Sequence, residues 1–282
     1  NNFLEASLIL NVYTRDYGKV EAVARSARKV KGKLKGHLEL FLDTELILAH
    51  GKNIDTITSS FTINSFSNLR NNLEVSYGAY YILELVDRMT VEKHQDERIF
   101  YLLKRVLLFL DNVANKELSL RGAERRSNPV TTREEFSHGI AVSPCGTPRN
   151  DINCLILFFQ INLLNLTGFL PELNKCVFCG KPIKSGGNYF NFSMGGVAES
   201  ECASKDIKSI LISDNAIKLF RLFQFKSNDV KEYNLHLKKS FEIIKKLKAD
   251  RKLVLNSVFL MNKFIEFNIE RKIKGVDFLK GV

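Results

Sequence analysis

The sequence predicts an α+β protein in which a small β module precedes a mainly helical body. Short β-rich runs separated by turn residues fill the first 65 positions, and apolar residues then recur every three or four positions. A chain of 282 residues is also long enough for two domains, since domains usually contain about 100–200 residues. We therefore expect a β module at residues 1–66 and a helical domain at residues 67–282.

The β module contains four β-rich runs with turn residues such as Gly18 and Gly32 between them. Four strands of this length fit a small barrel or sandwich. The predicted strands are residues 8–13, 20–25, 38–49 and 55–63.

The hydrophobic period becomes helical at Asn68. Leu73, Tyr77 and Tyr80 recur at helical spacing and predict one long, largely buried helix that ends near Met89. The rest of the domain is also expected to be helical. Further helices are predicted at residues 95–114, 155–168, 215–225, 229–248 and 253–274. In the first of these, the residues expected to face inward are Ile99, Leu102, Leu103, Val106, Leu107 and Leu110.

Residues 119–150 fit none of these elements. They contain three of the five prolines and have no sustained period, which predicts an irregular insert. The most apolar stretch, residues 155–170, is too short for a bilayer span and predicts a buried helix. No export signal opens the chain, so a cytoplasmic protein is expected.

The charge of the chain is strongly basic, with 42 Lys and Arg against 31 Asp and Glu and a net charge of +11. Residues 205–282 carry much of the excess, with 18 basic and 9 acidic groups. A basic protein without a membrane segment is expected to bind a polyanion, and nucleic acid is the leading candidate. For the C-terminal excess alone, a solvated Lys-rich helix face is an equally good interpretation.

One connection in the β module concentrates basic residues, because residues 15–35 contain eight cations and two acids. Such a row can follow a phosphate backbone while Tyr13, Tyr17 and Phe41 stack on bases, as in OB-folds that bind single strands. The alternative is a surface loop that lysines keep solvated. The predicted nucleic-acid-binding residues are Arg25, Arg28, Lys29, Lys31, Lys33 and Lys35.

Three of the five cysteines form an altered zinc motif, Cys176-x-x-Cys179 followed after nineteen residues by Glu199-x-x-Cys202. This spacing is usual for zinc sites built from two C-x-x-C pairs, but Glu199 stands where the third cysteine is expected. A carboxylate can bind zinc, although structural sites nearly always use Cys and His. Two interpretations stay open. Zinc is bound by Cys176, Cys179, Glu199 and Cys202, or aromatic packing holds a metal-free remnant together.

No catalytic motif is present in the sequence. It lacks the phosphate-binding loop, the dinucleotide fingerprint and the H-E-x-x-H pair, and its five histidines are scattered. We therefore expect a protein that is not an enzyme.

Several longer segments carry a family resemblance. They are "YTRDYG" and "GKVEAVARSARKVKGKLKGHLELF" near the start, then "LLNLTGFLPELNKCVFCGK", "FNFSMGG" and "FIEFNIERKIKGVDFL". In this order they resemble RecO, the family of bacterial recombination mediators and DNA repair proteins. The resemblance covers nearly the whole chain except residues 119–150.

The resemblance implies an N-terminal OB-fold-like β-barrel, a helical C-terminal domain and a zinc-ribbon-like insert at residues 174–204. It also implies a function without chemistry. Such proteins bind single- and double-stranded DNA, anneal complementary strands, contact the C-terminal tail of single-stranded DNA-binding protein, and with RecR help to load RecA. The alternative is a protein-protein adaptor in the repair machinery with weak intrinsic DNA binding.

The chain also departs from the family pattern. The family usually has a further strand and turn between "DYG" and "GKV", whereas Gly18 is followed directly by Lys19 and Val20. Losing one strand of five would open the barrel and expose an edge. Residues 119–150 interrupt helices that are normally joined directly, and Glu199 alters the zinc motif.

Overall fold

The computed structural model describes residues 7–25, 27, 35–124, 148–203 and 209–279, and it confirms the α+β class. The strands are β1 (Leu8–Thr14), β2 (Gly18–Ala24), β3 (Asp43–Ala49), β4 (Asp55–Asn64), β5 (Asn188–Asn191), β6 (Gly196–Ala198) and β7 (Ser209–Ile212). The helices are α1 (Ser67–Arg70), α2 (Leu73–Met89), α3 (Glu97–Glu124), α4 (Pro148–Leu166), α5 (Ser200–Ala203), α6 (Asp214–Phe223), α7 (Val230–Lys246), α8 (Arg251–Ile269) and α9 (Val276–Leu279).

The N-terminal sheet has four strands in the order β1-β2-β4-β3. Each outer pair is antiparallel, and a short parallel contact between β2 and β4 joins the two pairs. Alternate residues of the strands face inward and form a small apolar cluster that is separate from the main core. Its buried members are Ala22, Ala24, Ala27 and Ile57.

β1 and β2 form a tight hairpin that turns directly at Gly18, and they pair along their whole length, from Leu8 with Ala24 to Thr14 with Gly18. The loss of a family strand at this point stays a prediction. In the described part of the chain, β1 and β3 are the outer strands of the sheet. An additional strand would therefore have to pair with one of these edges.

The predicted strand at residues 38–49 begins later than expected, at Asp43. A short 3-10 helix, Lys35–His37, and a series of bends precede it. Phe41 causes the difference, because it adopts a left-handed backbone conformation (φ 59°) and packs edge-on against Tyr80 with ring centroids 4.7 Å apart. Burial of this ring in the helical core takes precedence over strand pairing.

The prediction of one long helix from Asn68 to Met89 is wrong, because the chain forms two helices with a break between Arg70 and Leu73. Asn72 begins the second helix, and its side chain accepts a hydrogen bond from the backbone N–H of Val75 (3.3 Å). Leu73 is 67% exposed, so the buried stripe is not the predicted one. The buried apolar residues of α2 include Val75, Ala79, Ile82, Leu85 and Val86.

The helices predicted on either side of the insert are present but longer than expected. α3 continues to Glu124, and α4 already begins at Pro148, a residue that suits the first position of a helix. The ends of the 119–150 segment are therefore helical, and residues 125–147 lie outside the described part of the chain. The inward residues expected for α3 are all buried, namely Ile99, Leu102, Leu103, Val106, Leu107 and Leu110.

α4 lies at the centre of the helical domain, and a buried polar network joins it to α2 and α8. The side-chain amide of Gln160 donates to the hydroxyl of Tyr81 (2.6 Å) and to the carbonyl of Val258 (3.2 Å). The Tyr81 hydroxyl in turn donates to Oδ1 of Asn262 (2.9 Å). Because hydrogen bonds are directional, they fix the alignment of the three helices more strictly than apolar packing alone.

The β module is docked on the helical domain through the β1–β2 hairpin. Nζ of Lys19 donates to the carbonyl of Asp87 (2.7 Å), and the N–H of Lys93 donates to the carbonyl of Lys19 (2.9 Å). The hydroxyl of Tyr13 donates to the carbonyl of Asp96 (3.3 Å). Gly18 lies so close that a Cβ there would be 2.0 Å from the carbonyl oxygen of His94. The domain boundary at residues 66 and 67 itself stays a prediction.

Among the described residues, no helix is both long and apolar enough to span a bilayer.

Candidate nucleic-acid interface and cysteine cluster

The predicted nucleic-acid-binding connection begins where β2 ends. Arg25 is exposed just after β2, and Lys35 is the first residue of the 3-10 helix that leads into β3. The other four predicted residues, Arg28, Lys29, Lys31 and Lys33, lie outside the described residues. The structure therefore places the two ends of the connection on the β module, and the six residues stay a prediction.

Two of the acidic residues that follow this connection are paired with cations of the helical domain. Glu39 forms an ion pair with Arg70, and Asp43 forms one with Lys104 at 2.8 Å. The side chain of Asp43 is only 10% exposed. Because cations of the helical domain neutralise these two carboxylates, they do not oppose the basic connection.

Two of the three aromatic residues proposed to stack on bases are occupied elsewhere. Phe41 is buried against Tyr80, and Tyr13 is half-buried at the domain interface, where burial raises its pKa. Tyr17 remains, with 67% of its surface exposed. The sequence interpretation missed Phe61, which is 58% exposed on β4. The sequence pattern that could have indicated its exposure is the alternation in "SFTIN", which places Phe61 and Ile63 on the same outward face of β4.

A second basic surface lies on the helical domain and is called here the C-terminal basic surface. α7 buries Tyr233, Leu237 and Phe241, which turns its charged residues toward solvent. α8 begins shortly afterwards with Asp250 as its N-cap. The exposed cations of this surface are Lys238, Lys239, Lys246, Lys248, Arg251 and Lys252.

The cysteine cluster brings together three of the four predicted metal ligands. The sulfur atoms of Cys176, Cys179 and Cys202 all lie within 4.8 Å of one another. Two tight turns position them. In the first, the N–H of Gly180 donates to the carbonyl of Cys176 (2.8 Å), and in the second, the N–H of Cys202 donates to the carbonyl of Glu199 (3.0 Å). Local backbone bonds therefore orient the sulfurs.

The three thiols have unequal acidity. Burial acts to raise the pKa of Cys176, but N–H groups of Cys179, Glu199 and Phe178 donate to its sulfur, and the result is a pKa lowered to about 7. The hydrogen bond with Cys179, together with burial, raises the pKa of Cys202 to about 11. One thiolate therefore forms readily near neutral pH, as a metal-binding thiol requires.

The fourth predicted ligand, Glu199, is not part of the cluster. Its carboxylate Oε1 accepts a hydrogen bond from the backbone N–H of Lys184 (3.4 Å). Of the two remaining cysteines, Cys154 is buried in α4 and Cys145 lies outside the described residues. The three sulfurs suit a thiophilic metal ion such as zinc, and the ligand assignment of Glu199 stays a prediction.

An apolar groove of about 730 Å³ lies between β7, the start of α6 and α8. Leu211 is 66% exposed along one wall, while Lys263 contributes a cation. The hydroxyl of Ser257 is buried in the opposite wall and has no hydrogen-bond partner among the residues described. Further apolar lining comes from Ile210, Leu253, Phe259 and Leu260.

A small mixed sheet packed against helices beside a cysteine cluster defines an α+β class of protein, and family comparisons agree with this class. The family model described as "Recombination protein O N terminal" matches residues 1–66, and "Recombination protein O C terminal" matches residues 70–127 and 146–236. The chain belongs to the RecO family.

Similarity over most of the chain extends to proteins named DNA repair protein RecO. The protein of Dehalococcoides mccartyi is 32% identical over 278 residues, which are 99% of this chain and 90% of that protein. The Roseiflexus protein is 31% identical over 78% of this chain and 65% of its own length. The Listeria monocytogenes protein is 23% identical over 79% and 72%.

Proposed function

We propose that this chain is a DNA repair and recombination mediator that binds single- and double-stranded DNA and promotes strand annealing. The observation that carries the proposal is the basic connection between β2 and the 3-10 helix, on the OB-fold-like sheet of a RecO-family chain. The function requires no catalytic residues, and its energy comes from binding.

Electrostatics supplies most of that binding. Each Lys or Arg that contacts a phosphate releases condensed counterions, which favours association at low salt. The connection offers Arg25, Arg28, Lys29, Lys31, Lys33 and Lys35, while exposed Tyr17 provides a stacking surface on the same module. The C-terminal basic surface extends the polyanion contacts to the helical domain.

Protein partners complete the proposed role. We expect the chain to contact the C-terminal tail of single-stranded DNA-binding protein and RecR, and with them to help load RecA. The apolar groove between β7 and α8 is the candidate seat for the tail, because it offers apolar walls and the cation of Lys263 to an acidic peptide. The site of action is the cytoplasm, where these partners meet DNA.

The cysteine cluster is proposed to bind zinc and to stabilise the zinc-ribbon-like insert. Zinc would be held by Cys176, Cys179 and Cys202, whose sulfur atoms converge. The sequence also predicts Glu199 as a ligand, and the Glu199→Gln spectrum described below decides between its carboxylate and an external ligand. If the metal is bound, elemental analysis will find one zinc per chain and chelation will lower the melting temperature. A zinc-free protein whose melting is unchanged by chelation would support the metal-free remnant.

The open sheet favours one alternative, an adaptor that bridges repair proteins and binds DNA weakly. Among the described residues β1 and β3 have unpaired outer edges, so the groove of a closed barrel is incomplete. A titration of a fluorescent single-stranded oligonucleotide at low salt, beside a pulldown with the tail peptide, separates the two functions. The mediator binds both ligands. Tail binding without measurable DNA binding would establish the adaptor.

A further inference from the structure

The cysteine cluster offers three side-chain ligands, whereas a closed structural zinc site has four. The three sulfurs converge within 4.8 Å, and the part of the chain that the structure describes supplies no further Cys, His, Asp or Glu atom to this group. Zinc sites with three protein ligands leave the fourth position to water or another external molecule. The unusual feature is therefore a set of three sulfur ligands with a glutamate at the fourth position of the motif.

Glu199 serves the cluster through its backbone. Its N–H donates to the sulfur of Cys176, and its carbonyl accepts the N–H of Cys202 at 3.0 Å and that of Ala203 at 2.9 Å. These backbone bonds can form with any residue except proline at this position. The carboxylate is instead bonded to the N–H of Lys184, outside the converging sulfurs. A glutamate can therefore replace the family's cysteine without loss of the turn and without supplying the fourth ligand.

The side of the cluster that carries Cys179 is accessible to solvent. Cys179 is exposed and Cys202 is half-buried, while Cys176 closes the inner side. Exposed Cys179 is therefore the side from which a small molecule can reach the sulfurs.

The softness of the sulfur ligands indicates the kind of molecule that would bind. Net charge does not distinguish the candidates, because the exposed cations Lys175, Lys181 and Lys184 share this segment with the carboxylates of Glu199 and Glu201. A metal ion held by thiolates prefers a further soft donor, and an external thiolate is such a donor.

We propose that a metal ion bound by Cys176, Cys179 and Cys202 accepts an external thiolate of low molecular weight at its fourth position, on the Cys179 side. The inference rests on the metal binding proposed above. It involves ligand exchange alone. The incoming thiol gives its proton to solvent, its sulfur takes the fourth position, and no electron is transferred.

Cobalt substitution in the full chain tests this inference, because the visible spectrum of Co²⁺ reports the number of sulfur ligands. The Cys145→Ser background removes a cysteine that lies outside the described residues. Titration with 2-mercaptoethanol should shift the absorption bands with saturation, and Glu199→Gln should leave both the starting spectrum and the shift unchanged. Glu199→Cys, the matched control, should give a four-sulfur spectrum from the start and no response to thiol.

Four results would overturn the inference. The first is cobalt binding with no thiol response, which leaves metal binding itself intact. The second is a changed starting spectrum in Glu199→Gln, which makes Glu199 the ligand. The third is a changed starting spectrum in Asp206→Asn, which makes Asp206, a residue outside the described part of the chain, the fourth ligand. The fourth is no cobalt spectrum at all, which removes the proposed metal site too, while DNA binding by the same samples is judged separately.

Discussion

Gly18→Ala should destabilise the protein by driving the β module away from the helical domain. Gly18 has a left-handed backbone (φ 67°), which costs alanine about 1–2 kcal/mol. Its new Cβ would also lie 2.0 Å from the carbonyl oxygen of His94, a backbone atom that must move. That movement threatens the bonds from Lys93 to Lys19 and from Tyr13 to Asp96, each worth about 0.5–1.5 kcal/mol. The total loss should be about 2–5 kcal/mol.

Gly168→Ala is the matched control for this prediction. Gly168 also has a left-handed backbone (φ 85°), but a Cβ there would meet nothing within 4 Å. It should therefore cost only the conformational term of about 1–2 kcal/mol. Urea unfolding followed by circular dichroism gives both free energies, and limited proteolysis should release the β module earlier in Gly18→Ala alone. Equal losses in the two variants would refute the role assigned to the Gly18 contact.

Three further predictions concern the same framework. Tyr81→Phe should lower the free energy of unfolding by about 2–4 kcal/mol, because Gln160 and Asn262 each lose a buried partner. Tyr80→Phe is the matched control, because Tyr80 is 44% exposed, and in urea unfolding it should stay within about 0.5 kcal/mol of the parent. Similar losses of unfolding free energy in Tyr81→Phe and Tyr80→Phe would contradict this account. Asp43→Ala should cost about 1–3 kcal/mol in the same assay, because it leaves Lys104 and Asn64 without their shared carboxylate, and a neutral result would show that the pair does not support docking. Burial, with help from Lys239, lowers the pKa of His236, so the folded chain binds fewer protons than the unfolded chain below about pH 6.5. This contribution to stability is present at neutral pH and declines as the pH falls through about 6.5 toward the lowered pKa. His236→Gln should flatten that part of the plot of unfolding free energy against pH. An unchanged plot would exclude His236 as the source of the decline.

Local patterns predicted the elements whose causes are local. The Asp16-Tyr17-Gly18 turn located the first hairpin, and the apolar period of α3 identified every inward residue that was named. The three cysteines also converge as their spacing predicted, because backbone bonds within each turn set the direction of the sulfurs.

Long-range packing decided the features that the sequence did not reveal. Phe41 leaves strand register for a contact with Tyr80, a residue far along the chain. The side-chain cap at Asn72 splits a helix whose apolar period continues through the break. For Glu199, spacing defined the position in the turn, but the direction of its carboxylate depends on the neighbouring backbone of Lys184.

The salt dependence of single-strand binding tests the central claim most directly. Fluorescence anisotropy with an oligonucleotide should give log affinity that falls linearly with log salt for the parent chain. A triple variant, in which Ala replaces Lys31, Lys33 and Lys35, should reduce the magnitude of that slope by about 2, because each lost phosphate contact removes roughly 0.7. The charge-matched control, Ala at exposed Lys218, Lys226 and Lys272, should leave the slope near that of the parent. An unchanged slope in the first variant, or no binding by the parent at low salt, would contradict the assignment of this connection to DNA.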